Sequence, residues 1–225
     1  MRYPSPPLVT IMIALAAPAA AQSDRSADSR LQDVLKIPPI IFYLAKGEQN
    51  SCGQGCSEWI AAEGRIDRGA AQRLRGLLTR LGKRKLPIFF HSPGGLIEEG
   101  MAIGRLLREQ EMTAAVSRTI PTACVAGRDD ACRALKRSGQ PLVAELWNVS
   151  ICHSACGYAL VGAKVRQVPA GARFGVHAPW WVRTYANGRT ENLPAKDLSQ
   201  QELKAADAGR RRYLVGMGIS SQLLD

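Results

Sequence analysis

The sequence predicts an α/β domain with a mainly parallel sheet flanked by helices. Two observations carry that expectation. Short apolar, β-branched runs alternate with longer segments whose apolar residues recur at helical spacing. Gly-rich turns stand where a strand hands over to a helix, as at Ser92-Pro93-Gly94-Gly95. The chain has 225 residues, 46% hydrophobic and 22% charged, which suits one domain with a sizeable core and excludes a disordered chain.

Ile40 to Ala45 is apolar and β-branched, a buried strand, and Lys46 to Ser57 is a loop carrying Cys52 and Cys56. Asp67 to Leu81 reads as a helix: Ala71, Leu74, Leu77, Leu78 and Leu81 form its apolar face, and Arg68, Arg73, Arg75 and Arg80 a solvated one. Leu86 to Phe90 is a second buried strand, followed by the Pro-Gly-Gly turn, a helix over Leu96 to Arg108 and a third strand over Thr113 to Ser117. Strands separated by helices pair in parallel. Residues 118–146 break the rhythm with Gly127, Ser138-Gly139 and Pro141, and read as a surface insertion stapled by Cys124 and Cys132. Trp147 to Ile151 returns to strand, Ala155 to Gly162 is a short helix, and Val165 to Val168 and Arg173 to Val176 are strands. Val182 to Glu191 holds Asn187-Gly188 between β-branched and aromatic residues, a hairpin signal. Lys196 to Met217 is a long helix, and Ser220 caps a final turn.

Ahead of the domain at 37–225, residues 1–21 have the form of a secretory signal and 22–36 that of a flexible segment. Arg2 precedes Leu8 to Ala17, an apolar run too short to span a bilayer, and Ala19-Ala20-Ala21 is a small-residue cleavage site. An uncleaved membrane anchor is the alternative. A periplasmic or secreted location suits the six cysteines, which fall into the close pairs Cys52/Cys56, Cys124/Cys132 and Cys152/Cys156. Spacing does not fix connectivity; sequence-local pairing is the expectation. Three histidines, badly spaced for a ligand set, argue against zinc, and no metal is expected. The net charge of +11 is read as solubility. No zinc knuckle or aromatic-interleaved basic run points to nucleic acid.

The chemistry-bearing residues are Ser154, in Cys152-His153-Ser154-Ala155-Cys156, and His177, in Gly175-Val176-His177. Alone, a Ser before a helix is an N-cap and a His at a strand end is structural. Together with a second Gly-rich strand-to-helix turn they make the parts of an acyl-transfer site: a nucleophile, a base and backbone N–H donors. His153, adjacent to Ser154, is read as structural, and His91 is unassigned. Cysteines at 152 and 156 exclude the Gly-x-Ser-x-Gly turn of an α/β-hydrolase.

The order Ser92-Pro93-Gly94-Gly95, Ser154-Ala155, Gly175-Val176-His177 resembles the Clp-type serine peptidases of the Clp/crotonase fold. It is more nearly similar to secreted Clp-like hydrolases with a Cys-x-Ser-Ala-Cys turn. The resemblance covers about residues 37–225, less the insertion. It implies repeated β-β-α units, Ser154 as nucleophile and His177 as general base, with backbone amides of Gly95, Gly94 and Ala155 for the oxyanion. The family's acid follows a long helix after the His, where this chain has Asp225, with Asp197 and Asp207 as fallbacks. The implied activity is endopeptidase cleavage of peptides or unfolded protein without cofactor. Outside the cytoplasm there is no ATP pool, so no ATPase partner is expected. A homo-oligomer is implied through Trp180, Trp181 and the stripe Leu198, Leu203, Ala206 and Leu214; the alternative is that this helix packs on its own sheet. The alternative function is a binding or scaffold protein that keeps the fold without catalysis.

One expectation is directly measurable. The intact mass of protein from its native host should correspond to a chain beginning near Gln22 with no free thiols in the absence of reductant; six free thiols would contradict the compartment.

Overall fold

The core is a seven-stranded sheet that runs, edge to edge, through β5 (Arg118–Pro121), β6 (Leu142–Trp147), β1 (Ile41–Lys46), β2 (Glu58–Glu63), β3 (Ile88–His91), β4 (Thr113–Val116) and β8 (Val165–Gln167). The structure is a computed structural model and describes residues 29, 32–124, 130–185 and 190–225. The signal at 1–21, most of the segment at 22–36 and the Asn187-Gly188 turn lie outside the described residues. Pairings β6–β1, β2–β3, β3–β4 and β4–β8 are parallel; β1–β2 and β5–β6 are antiparallel. The fold is thus mixed α/β with a mostly parallel central sheet flanked by helices.

Alternate residues of the central strands feed opposite faces. Ile60, Ala62, Ile88, Phe90, Ala114 and Val116 meet the helices α1 (Ala70–Leu81), α2 (Ile97–Glu109) and α4 (Ala155–Gly162). Trp59, Ala61, Phe89 and Ala115 point the other way with Tyr43 and Ala144. There α3 (Asp130–Arg137) sets Lys136 over the Tyr43 ring at 5.2 Å. The last helix, α5 (Gln200–Gly216), lays Tyr213 and Leu214 against Tyr158 and Val161 of α4. No helix among the described residues is long and apolar enough to cross a membrane.

Three elements depart from the sequence expectation. β2 is a central strand that hydropathy does not announce, because Glu-Trp-Ile-Ala-Ala-Glu is built largely of helix-favouring residues. Burial decides it: Trp59, Ile60, Ala61 and Ala62 are fully enclosed, and Trp59 Nε1 donates to Thr119 Oγ1 at 3.0 Å. Thr119 belongs to β5, so residues 118–146 are not an appendage: β5 and β6 extend the sheet beside β1. The helix expected over Lys196 to Met217 is broken by Leu198, with a 3₁₀ turn at Ala195–Asp197 and a fresh start at Ser199, whose side chain forms a capping box with Glu202. The element order does not repeat one β-β-α unit throughout, since α2 follows β3 alone. Ser220 does cap the final turn, its hydroxyl accepting from the Gln222 N–H at 3.2 Å.

All six cysteines pair with their sequence neighbours: Cys52–Cys56, Cys124–Cys132 and Cys152–Cys156.

Two helix contacts fix where α4 begins. Glu99 of α2 accepts the N–H groups of Gly69 and Ala71 at 2.8 and 2.9 Å, which satisfies donors at the start of α1 and locks α2 to it. α2 then meets α4 backbone to backbone. A Cβ on Gly100 would lie 2.2 Å from the Ala155 carbonyl oxygen, and one on Gly162 would lie 2.2 Å from the Gly104 Cα. Only glycine permits that approach. Gly100→Ala should therefore force the start of α4 away and destabilise the protein by about 1–3 kcal/mol, seen as a lower urea midpoint; an unchanged midpoint would mean that the two helices are not held this closely.

Candidate active site

Beside the main sheet, β7 (Ile151–His153) and β9 (Arg173–Gly175) form a short parallel pair. β7 replaces the strand expected over Trp147 to Ile151 and runs straight into Ser154. The register sets His153 opposite Gly175, and the Ser154 N–H donates to the Gly175 carbonyl at 2.8 Å. From the other side Ser92 grips the same strand: its N–H donates to Ile151 at 2.8 Å, and its carbonyl accepts from His153 at 3.1 Å. The Cys152–Cys156 disulfide spans the turn, with both cysteines fully buried.

Held in this way, Ser154 adopts φ 55° and ψ −122° between strand and helix. A non-glycine residue in that region stores strain and persists only when its surroundings over-determine it. The conformation also decides against the simple capping role: the Ser154 hydroxyl makes no cap hydrogen bond to α4. Gly94 packs directly on this turn. A Cβ at Gly94 would stand 2.7 Å from the Ser154 Cβ and 3.0 Å from the Ala155 nitrogen, and its φ of 100° is open to glycine.

The three amides named from the sequence differ in what they are free to do. Gly94 N–H donates to Ser92 Oγ at 3.1 Å, so it is already used. Gly95 N–H and Ala155 N–H have no acceptor among the described residues, and Ala155 is fully buried. A buried N–H without a partner is rare in folded proteins, and the Ala155 amide beside a strained serine is suited to an incoming oxyanion.

His177 lies two residues beyond Gly175, exposed, with its ring centroid 5.4 Å from that of Trp180. Its Nδ1 lies 2.6 Å from the Ala178 carbonyl oxygen. A carbonyl only accepts, so Nδ1 carries a proton, which leaves Nε2 as the basic nitrogen of the neutral ring. No hydrogen bond joins His177 to Ser154. No aspartate among the described residues is hydrogen-bonded to the imidazole either. The Asp225 carboxylate is bound by Arg211 at 2.8 Å. Asp207 takes Arg210 and Arg211 at 3.0 and 2.7 Å, and the Arg211 bond holds its carboxyl below the usual range. Asp197 is exposed at the end of its 3₁₀ turn.

His153 sits on the turn with its ring beside Gly175. Burial pushes its pKa down, and the nearby Arg173 and His177 add to the shift. His91 shares a 3.0 Å hydrogen bond with Ser150 Oγ, which donates on to the Phe90 carbonyl at 3.2 Å. Ser92 and Ser150, both fully buried, are the polar residues that sequence reasoning passed over. The only signal for Ser92 was its place before Pro-Gly-Gly, where a hydroxyl closes the turn on the N–H two residues on. No cluster of metal-ligating side chains occurs among the described residues.

The depressed His153 fixes a pH response. The unfolded ring takes up a proton near 6.5, and the folded ring at a lower pH. Above pH 6.5 both are neutral and the contribution to stability is complete; below it the unfolded state binds more protons and stability falls until the folded pKa is passed. The drop in urea midpoint between pH 7.5 and 5 should therefore be smaller in His153→Gln than in the wild type. Equal drops would remove His153 from the response.

No family model matches the chain, and no curated protein does. Among solved structures the chain is similar to a mutant ClpP1 of Listeria monocytogenes, with 16% identity over 86% of this chain and 78% of that one and a TM-score of 0.38. A likeness that distant assigns neither fold family nor activity, and the case for the site rests on its own geometry.

Proposed function

We propose that the chain is a periplasmic or secreted serine hydrolase, an ATP-independent endopeptidase acting on peptides or unfolded protein. The observation that carries this reading is the strained Ser154 turn, with a hydroxyl free of any cap bond next to the Ala155 amide, which has no acceptor among the described residues. The motif order resembling Clp-type peptidases points the same way, and three disulfides favour an oxidising compartment.

The chemistry follows from the groups present. Ser154 Oγ attacks the peptide carbonyl while His177 Nε2 takes its proton. The carbonyl oxygen, now negative, receives the N–H groups of Gly95 and Ala155. As the tetrahedral species collapses, the C–N bond breaks and His177 returns the proton to the leaving amine. Water, deprotonated by the same nitrogen, then releases the acyl group and restores Ser154. In this reading the Ala178 carbonyl orients the imidazole and the working unit is a Ser–His pair, with the Asp225 carboxylate on Arg211. Substrate binding must draw His177 onto Ser154, a tightening common in sites that are loose before substrate arrives. Exposed Trp180 beside His177 suits either substrate or a second copy of the chain, and a homo-oligomer through this edge belongs to the same proposal.

The second reading, a non-catalytic binding protein, is favoured by the open Ser154–His177 pair and by an imidazole with no aspartate partner among the described residues. A fluorophosphonate probe separates the two. Under the hydrolase reading it labels the oxidised wild type, Ser154→Ala abolishes labelling, and His177→Ala slows peptide turnover by roughly 10⁴–10⁶-fold. A wild-type chain that resists the probe is not a serine hydrolase.

A further inference from the structure

At the carboxyl ends of β2 and β3, beside the start of β5, lies an open-mouthed cavity of about 630 Å³, a size that suits a small ligand or a peptide side chain. In an open parallel sheet this is the end where ligands bind. Two stretches of its wall lead to the reactive turn: Pro93 immediately precedes Gly94, and Ile151 opens the strand that delivers Ser154.

The walls combine two chemistries. Ile41, Pro93 and Ile151 contribute apolar surface; Lys36, Arg118, Arg133 and Lys136 bring positive charge against the single carboxylate of Glu63. These cations are not equally committed. Lys136 is paired with Glu63, the two side chains only 11% and 14% exposed. Arg133 pairs with Asp130 and Lys36 with Asp33. Arg118 is half-buried, and its guanidinium makes no hydrogen bond or ion pair among the described residues. A guanidinium partly withdrawn from water, beside apolar walls, is suited to a planar carboxylate that it can hold by two parallel hydrogen bonds. The lining contains no Phe, Tyr or Trp, and its one aromatic ring is the His91 imidazole.

We infer that this cavity is a subsite for an acidic residue of a peptide, its aliphatic stem against Ile41 and Ile151 and its carboxylate on Arg118. Its role as a substrate subsite rests on the hydrolase reading; the binding itself does not. The test uses two blocked tripeptides, acetyl-Ala-Glu-Ala amide and its Gln counterpart, titrated calorimetrically into oxidised Ser154→Ala protein, which binds without turnover. The Glu peptide should bind at least tenfold more tightly. In the same background Arg118→Gln should cut that preference below twofold, and Arg118→Lys, which keeps the charge, should retain at least threefold. Equal affinities, no binding of the Glu peptide at millimolar concentration, a preference that survives Arg118→Gln, or its loss in Arg118→Lys overturns the inference. Octanoate and a short oligothymidylate are the comparators; if either outcompetes the Glu peptide, the cavity belongs to a free fatty acid or to nucleic acid and the peptide assignment fails. Fluorophosphonate labelling of the wild type is read alongside. Labelling without a Glu preference overturns the subsite alone, whereas a Glu preference without labelling overturns the hydrolase and leaves the subsite standing.

Discussion

Backbone contact between α2 and α4 is the constraint on which the site depends. Gly100 and Gly104 let α2 lie against Ala155 and Gly162 with no side chain between them. The turn at the head of α2 carries Gly94 and Gly95, and the turn at the head of α4 carries Ser154 and Ala155. Bringing the helices to backbone distance therefore brings the two turns together, and the close fit of Gly94 to Ser154 is the same contact continued past the helix ends. Ser92 completes the arrangement by bonding β7 through both its main-chain groups and accepting the Gly94 amide on its hydroxyl. A strained residue needs this degree of enclosure.

Legibility in the sequence followed local signals. α1, α2 and β3 announced themselves through periodicity and apolar runs, and the cysteine pairs through proximity along the chain. The two strand-to-helix turns that carry Gly94-Gly95 and Ser154 were legible as turns, one from its Pro-Gly-Gly and the other from a serine ahead of an apolar run. β2 was not, since alanines and glutamates make a strand only when neighbouring strands enclose them on both sides. β5 and β6 were hidden by loop-like Gly and Pro between them, although Thr119 and Ala144 are as buried as any core residue. Long-range placement was least legible of all. Nothing along the chain signals that the Asp225 carboxylate pairs with Arg211 of α5.

Charge is distributed with some economy. Most arginines of the outer helix faces either face solvent or pair at short sequence separation, as Arg133 does with Asp130. Such exposed pairs contribute little to stability. The exception is the Lys136–Glu63 pair, largely buried and backed by the Tyr43 ring, which ties α3 to the end of β2. Segment 118–146 is thus anchored by both a buried ion pair and the Trp59–Thr119 hydrogen bond.

Every residue of α4 is buried, from Ala155 to Gly162. A short helix that is apolar on all sides has no solvent-facing surface to keep it soluble and too few residues to persist alone. It takes shape only once α2, α5 and the sheet have closed around it. The serine at its head is accordingly an ordinary flexible residue in the nascent chain and acquires its strained geometry as the last shell of the core assembles. The geometry of the Ser154 turn is thus built into the order of folding and exists only once the core has closed.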